Sequence, residues 1–292
     1  MKLAVQVVGA LVVSGLAASV VLSARQIPIE PAKQFGASVT PSFEGWFDNP
    51  DGSHNFLVGY LNRNRSLEVD VPIGPNNKIE PGGPDPGQPT HFLPGRQTGT
   101  FVITVPKTFS REQRLTWTIT INGQTNSIPL RLNTDYNISP LKDSAVANTP
   151  PAIRFAESGP SIQGPLSTLA SAATRKTSVA MPLELSVWTD DDAKYTNNSS
   201  APMRGSRAPG TLLWSKYRGP GTVTFDKARP TLEKLKGGNV NEPYTGLGKT
   251  TAKFSAPGEY VLQVLANDYS GDGGGGFVCC WSNSLVKVTV TP

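Results

Sequence analysis

The sequence predicts an all-β protein: two tandem antiparallel β-sandwich domains behind an N-terminal signal peptide. Three observations predict it. Apolar residues recur at every second position through most of the chain, the period of a strand with one buried face. Twenty-nine glycines and 26 prolines in 292 residues break these runs at short intervals and leave little room for long helices. The first residues have the layout of a secretory signal.

In "MKLAVQVVGALVVSGLAASVVLSA" one lysine precedes an apolar run that ends in the small residues Ser23 and Ala24. Residues 1–24 are therefore expected to be removed, placing the mature chain outside the cytoplasm: periplasmic, cell-surface or secreted. Leu3 to Leu22 is also long enough for an uncleaved anchor, so the two readings stay open at this point. No cysteine follows the run, so a lipid anchor has no attachment atom. The net charge of +5 is spread over turn-rich segments rather than gathered into a stripe, which argues against a nucleic-acid partner.

Residues 35–136 read as the first sandwich. In "LTWTITI" Leu115, Trp117, Ile119 and Ile121 point one way and three threonines the other. The same alternation runs through Phe56, Val58 and Tyr60, through Leu67, Val69 and Val71, through Phe101, Ile103 and Val105, and through Ile128, Leu130 and Leu132. "NPDGS" (Asn49 to Ser53) and "NGQ" (Asn122 to Gln124) supply hairpin chemistry between strands. The Pro- and Gly-rich stretch Ile73 to Gly99 lacks ladder donors and is expected to run as a long surface loop. Residues 137–164, around "NTPPAIRF", are proline-rich and are expected to link the two domains.

Residues 165–292 bring a second series of strands: "MPLELSVW", "TLLWSKY", "GTVTF", "TTAKF", "EYVLQVLA" and "SLVKVTV". "ARPTLEKLKGG" is the one candidate helix. Here "LLWSKYRGPGTVTFD" and "GKTTAKFSAPGEYVLQVLANDYSGD" resemble the immunoglobulin-like domains of bacterial surface proteins, in particular the polycystic-kidney-disease type. The resemblance covers roughly the last 110 residues. It implies that Trp214 is the buried tryptophan of the third strand and that Tyr260 forms a tyrosine corner with the preceding turn. The Trp-Asp-Phe-Gly-Asp-Gly segment of the polycystic-kidney-disease family is missing, so the resemblance holds at the level of the superfamily. It implies adhesion, spacing or docking rather than catalysis.

Catalysis needs a nucleophile, a base or a metal within reach of one another. The two histidines, His54 and His91, lie in turn-rich stretches without a cysteine or acid at metal-ligand spacing, and read as polar loop residues. No Gly-x-Ser-x-Gly elbow frames a serine. The chain is thus expected not to be an enzyme. Asp190 to Asp192 follow one strand of the second sandwich, and Asp268 and Asp272 follow another; the loops after those strands share one end of an immunoglobulin-like sandwich. Asp190, Asp192, Asp268 and Asp272 are candidate calcium ligands, against the plainer reading of a solvated acidic rim.

Trp46 and Trp188 fall out of phase with the buried positions of their strands. Exposed, and joined by Tyr60 on one flat face, they would stack on sugar rings. The only cysteines, Cys279 and Cys280, are adjacent after a glycine run. A vicinal disulfide, a pair of thiols and a cross-link to another chain all remain open, because a regular strand points neighbouring side chains to opposite faces. Two functions follow. The first is a non-catalytic extracytoplasmic binding, adhesion or scaffold protein presenting loops to a protein or polysaccharide at the cell surface. The alternative is a carbohydrate-binding or accessory module for polysaccharide processing.

Overall fold

A computed structural model describes residues 30–143, 147–194, 210–237, 242–268 and 279–292. The expected signal peptide, residues 1–24, lies outside them. No described helix is long and apolar enough to cross a membrane.

The first sandwich runs through β1 (Val39–Asp48), β2 (His54–Asn62), β3 (Val69–Asp70), β4 (Asn77–Glu80), β5 (His91–Phe92), β6 (Gly95–Val105), β7 (Leu115–Ile121) and β8 (Gln124–Leu130). One sheet has the order β1-β2-β6, the other β4-β7-β8, and β3 pairs with β5 beside them. The "NGQ" turn joins β7 to β8 with φ of 52° at Asn122 and 74° at Gly123, the two positive values a tight hairpin with right-handed twist needs. Phe56, Val58, Tyr60, Phe101, Ile103, Trp117 and Ile119 share one core, as the alternation predicts. Leu67, by contrast, is exposed, and its strand shortens to two residues.

The second sandwich runs through β9 (Ala152–Arg154), β10 (Ile162–Gln163), β11 (Ala173–Ser178), β12 (Leu183–Asp191), β13 (Gly210–Arg218), β14 (Val223–Phe225), β15 (Glu233–Lys236), β16 (Tyr244–Phe254), β17 (Gly258–Asp268) and β18 (Trp281–Thr291). One sheet has the order β10-β9-β12-β16-β14, with β15 also on β16, and the other β11-β18-β17-β13. All pairings are antiparallel except β11 with β18. Trp214 and Tyr260 are both buried in the core between these sheets. The Tyr260 hydroxyl donates to Ala256 O at 2.8 Å and accepts the Gly221 N–H at 3.0 Å, so one side chain ties two turns to the strand. This is the corner that the resemblance implies.

Four expectations need correction. The stretch 73–99 is not a surface loop: it carries β4, β5 and the start of β6, and Asn77, Gln88 and Phe92 within it are fully buried. Its prolines deprive it of ladder bonds, and amide side chains replace them. Asn77 Nδ2 donates to Val71 O and Pro89 O at 2.9 and 2.8 Å, and its Oδ1 accepts the Trp117 indole N–H at 3.0 Å. The candidate helix around Glu233 is the exposed strand β15, since pairing with β16 overrides a weak helical propensity. The proline-rich stretch 137–164 also contributes β9 and β10 to the second sandwich.

The fourth correction concerns the tryptophans. A β-bulge between Phe43 and Gly45 shifts the phase of β1 by one residue, so Trp46 packs against the first core and its indole N–H donates to Asn133 O at 2.6 Å. Trp188 is half-buried, opposite Arg154 in the register of β12 and β9. Tyr60 is only 2% exposed.

Residues 31–292 form one compact unit. The reason is visible in β17 and β18. Tyr260, Leu262, Val264, Val286 and Val288 face their own core, while Val261 and Leu285 join the core of the first sandwich. Trp281 packs with Phe47, Leu57 and Val102 of β1, β2 and β6 in a third cluster between the sheets. Trp214→Ala should cost about 3–5 kcal/mol, the usual loss for a large buried aromatic, and Tyr260→Phe about 1–3 kcal/mol through the orphaned Gly221 N–H. Urea denaturation of the variants measures both, and a Trp214→Ala midpoint equal to wild type would contradict the core assignment.

Candidate functional site

Three places gather polar chemistry. The first is a groove of about 480 Å³ lined by β13, β14 and the β3–β5 pair. Asp70 and His91 are register partners there, so their side chains stand together on the same face. His91 Nδ1 lies 2.9 Å from Asp70 Oδ1 and Nε2 lies 3.1 Å from Glu68 Oε2. Lys216 Nζ, from the second sandwich, reaches Asp70 Oδ1 at 3.0 Å. Burial works against a charge on His91, but the hydrogen bonds to Asp70 and Glu68 outweigh it and raise its pKa. The hydrogen bond to His91 in turn lowers that of Glu68.

Both ring nitrogens of His91 face carboxylate oxygens, so neither is turned toward an incoming metal or substrate. With Lys216 on Asp70, the cluster is a polar clamp between the two sandwiches. His54 is held similarly, with Nδ1 2.6 Å from Asp48 Oδ1 across the β1–β2 pair. Reading the histidines as polar loop residues with no acid at metal-ligand spacing missed these carboxylates, because strand pairing, not sequence spacing, sets them: Asp70 and Glu68 are 21 and 23 residues from His91, and Asp48 faces His54 across a hairpin. The signal that could have found them is the pairing of "EVD" with "HF" on one small sheet.

The second place is the seam between the sandwiches. Asn283 Nδ2 donates to Gly99 O and Thr100 O at 2.9 and 3.1 Å, and Gln263 Nε2 to Thr100 O at 2.7 Å. Farther along, the Tyr217 hydroxyl donates to Gly87 O at 2.6 Å, and Arg218 binds Asp85 at 2.7 and 3.0 Å and also Gln88 O. Gly99 sits at φ +53° directly under the Trp281 ring, where a Cβ would collide with the indole.

The third place is the end of the second sandwich where the acidic residues were expected to converge. Asp190 is held by Arg154, with Nε at 2.9 Å and Nη2 at 2.8 Å from Oδ2, and also accepts from the Thr245 hydroxyl at 2.8 Å. Asp192 accepts the N–H and hydroxyl of Thr149 at 3.2 and 3.0 Å. Asp268 is buried and accepts from Asn148 Nδ2 at 2.6 Å, and Asp272 lies outside the described residues. Asp190, in β12, and Asp192, just after it, are thus tied to separate partners. Asp191, which sequence reasoning passed over, turns the other way and is 7% exposed. Cys279 and Cys280 are both buried and are joined to each other, with their sulfurs against the carbonyl of Asn148. Among the described residues, no group of three or more His, Cys, Asp or Glu side chains is arranged to hold a metal ion.

No protein-family model and no curated protein matches the sequence. Among solved structures, the chain is similar to AggA, the major subunit of aggregative adherence fimbriae type I from Escherichia coli. That match has 14% identity and covers 41% of this chain and 91% of AggA, with a TM-score of 0.19. Domains 4 and 5 of the S-layer protein SbsC match at 10% identity, covering 88% of this chain and 98% of theirs, with a TM-score of 0.21. The CfaE adhesin of enterotoxigenic E. coli matches at 7% identity, covering 87% and 86%, with a TM-score of 0.23. TM-scores of this size transfer neither fold detail nor function to this chain.

Two outcomes follow from the clamp and the seam. Because the folded pKa of His91 is raised, its contribution to stability is complete below about pH 6.5, the ordinary histidine value, and is lost as pH rises through the higher folded value. Urea midpoints followed from pH 5 to pH 9 should therefore fall less in His91→Ala than in wild type, and parallel profiles would contradict the clamp. Gly99→Ala forces both a strained φ and a clash with Trp281, so it should lower the thermal midpoint by several degrees, read by calorimetry.

Proposed function

We propose that this chain is a non-catalytic extracytoplasmic scaffold or adhesion protein, whose two sandwiches are fixed to one another and present their end loops to a protein partner at the cell surface. The observation that carries this reading is the seam. Tandem domains ordinarily move about their junction, whereas here side chains of β13, β17 and β18 bind main-chain oxygens at Gly87, Gln88, Gly99 and Thr100. A spacer or adhesin needs that fixed geometry, because a loop placed on a rigid body meets its partner without first paying for orientation.

The compartment fits. The charged start, apolar run and small-residue end of residues 1–24 direct export, and a disulfide between Cys279 and Cys280 persists in an oxidising environment. The polysaccharide reading needs a flat platform of exposed aromatics. Tyr60 is instead buried, its hydroxyl accepting the Leu93 N–H at 2.9 Å, and the Trp46 indole N–H donates to Asn133 O.

Cell fractionation with mass spectrometry of the tagged full chain tests the reading. A product cut near Ala24, recovered outside the cytoplasm and photo-crosslinked from the loop residues to an envelope protein, is expected. Recovery in the cytoplasm alone, or turnover of a polysaccharide by the purified chain, would sink it. Thiol counting on the unfolded, unreduced protein should find none free in a monomer; two free thiols would dismiss the vicinal bond.

A further inference from the structure

The acidic end of the second sandwich contains oxygens that the described protein leaves without donors. Strand alternation along β12 sends Asp190 outward to Arg154 and turns Asp191 inward. Asp191 Oδ1 accepts the Ala193 N–H at 2.8 Å, but Oδ2 is buried with no hydrogen-bond partner. Asp268, the last residue of β17, acts on it as a second buried carboxylate. Asn148 closes the group: it is 0% exposed, its Nδ2 donates to Asp268 Oδ2 at 2.6 Å, and its Oδ1 is a second buried acceptor without a donor.

Two buried orphan acceptors, Asp191 Oδ2 and Asn148 Oδ1, are costly, and more so with a second buried carboxylate acting on Asp191, because each buried polar atom forfeits its hydration. Burial first, and then the nearby Asp268 and Asp192, push the carboxyl of Asp191 up to about 7. A single proton on Asp191 would relieve part of this, yet it serves one acceptor at a time. A hard cation with 6–8 oxygen ligands in its shell, in the usual range of roughly that number for calcium, takes carboxylate and amide oxygens together and balances both charges.

We propose that Asp191, Asp268 and Asn148 form the protein side of a site for a hard divalent cation of the calcium class, with water completing the shell. The ligands differ from those the sequence suggested: Asp190 and Asp192 serve Arg154, Thr245 and Thr149 instead. The cation would join three separate pieces of chain, the segment 147–149 and the ends of β12 and β17. It would also lie beside the cysteine pair, since the Asp268 N–H donates to Cys280 O at 3.5 Å and Asn148 O lies 3.6 Å from Cys280 Sγ. This inference does not depend on the scaffold reading.

The test is a thermal melt of the mature chain in calcium, in magnesium and in chelator, together with calorimetric calcium titration. Calcium should raise the midpoint with the logarithm of its concentration, as binding to the folded state requires, and magnesium should do so less, because it keeps more of its waters. Asp190→Asn should keep the calcium response. Asp191→Asn, which preserves shape and removes charge, should weaken binding by at least about tenfold, since affinity follows the count of charged ligands. If Asp191→Asn does not fold, Asn148→Ala reads the same ligand set. Equal wild-type melts in calcium and chelator would overturn the proposal and leave a proton as the occupant. A response lost in Asp190→Asn but kept in Asp191→Asn would overturn the ligand assignment.

Discussion

Two-sided burial of β13 and the adjoining parts of β17 and β18 is the constraint on which the rest of the structure depends. One face supplies the second sandwich with Trp214, Tyr260, Leu262, Val264, Val286 and Val288. The other carries Val261, Leu285 and Trp281 into clusters with the first sandwich. Apolar contact alone would let two such faces slide, because hydrophobic attraction is not directional. The polar residues between them remove that freedom. Gln263 and Asn283 spend their amides on the carbonyls of Gly99 and Thr100. A correctly made hydrogen bond gains about 1 kcal/mol, but an unmade buried one loses about 1–3 kcal/mol, so any slipped arrangement is penalised more than the native one is rewarded.

The segment from Ile73 to Gly99 takes its order from the same constraint. It is too rich in proline to build long ladders, and its own backbone would leave many groups unpaired if it were merely laid on the surface. Asn77 and Gln88 satisfy those groups from within, with Gln88 Nε2 donating to Pro84 O at 2.6 Å. Tyr217 and Arg218 satisfy them from the second sandwich. What begins as an irregular insertion thus becomes the surface on which the second sandwich is seated, and the His91 clamp marks its edge with Asp70 and Lys216.

The sequence disclosed the strands well and their partners poorly. Period-two alternation located both cores because it is a local property, readable from "LTWTITI" or "EYVLQVLA" alone. Double-sided burial produces no such period: Leu57 is as buried as Phe56 and Val58, and nothing in "NFLVGY" separates the face toward the first core from the face toward the seam. The bulge after Phe43 could not be placed either, so Trp46 looked misphased when it was packed. The clamp was hidden for a third reason. Glu68, Asp70, His91 and Lys216 come from three strands or their flanks, and only pairing brings them together.

The acidic run on β12 shows how one rule can both suggest a site and misplace it. "TDDDA" is dense in carboxylates, and density alone makes all three aspartates look equivalent. In an extended strand, however, neighbouring side chains go to opposite faces. Asp190 is therefore met by Arg154 and Thr245, and Asp192, just past the strand, by Thr149, while Asp191 turns inward, where it feels the buried Asp268 that Asn148 holds. Asp190 and Asp192 each have donors, and the inward residue carries the uncompensated desolvation. Where a strand crosses from an exposed face to a buried one, the residue whose cost is uncompensated is the better candidate for binding than the residues whose charges are already met.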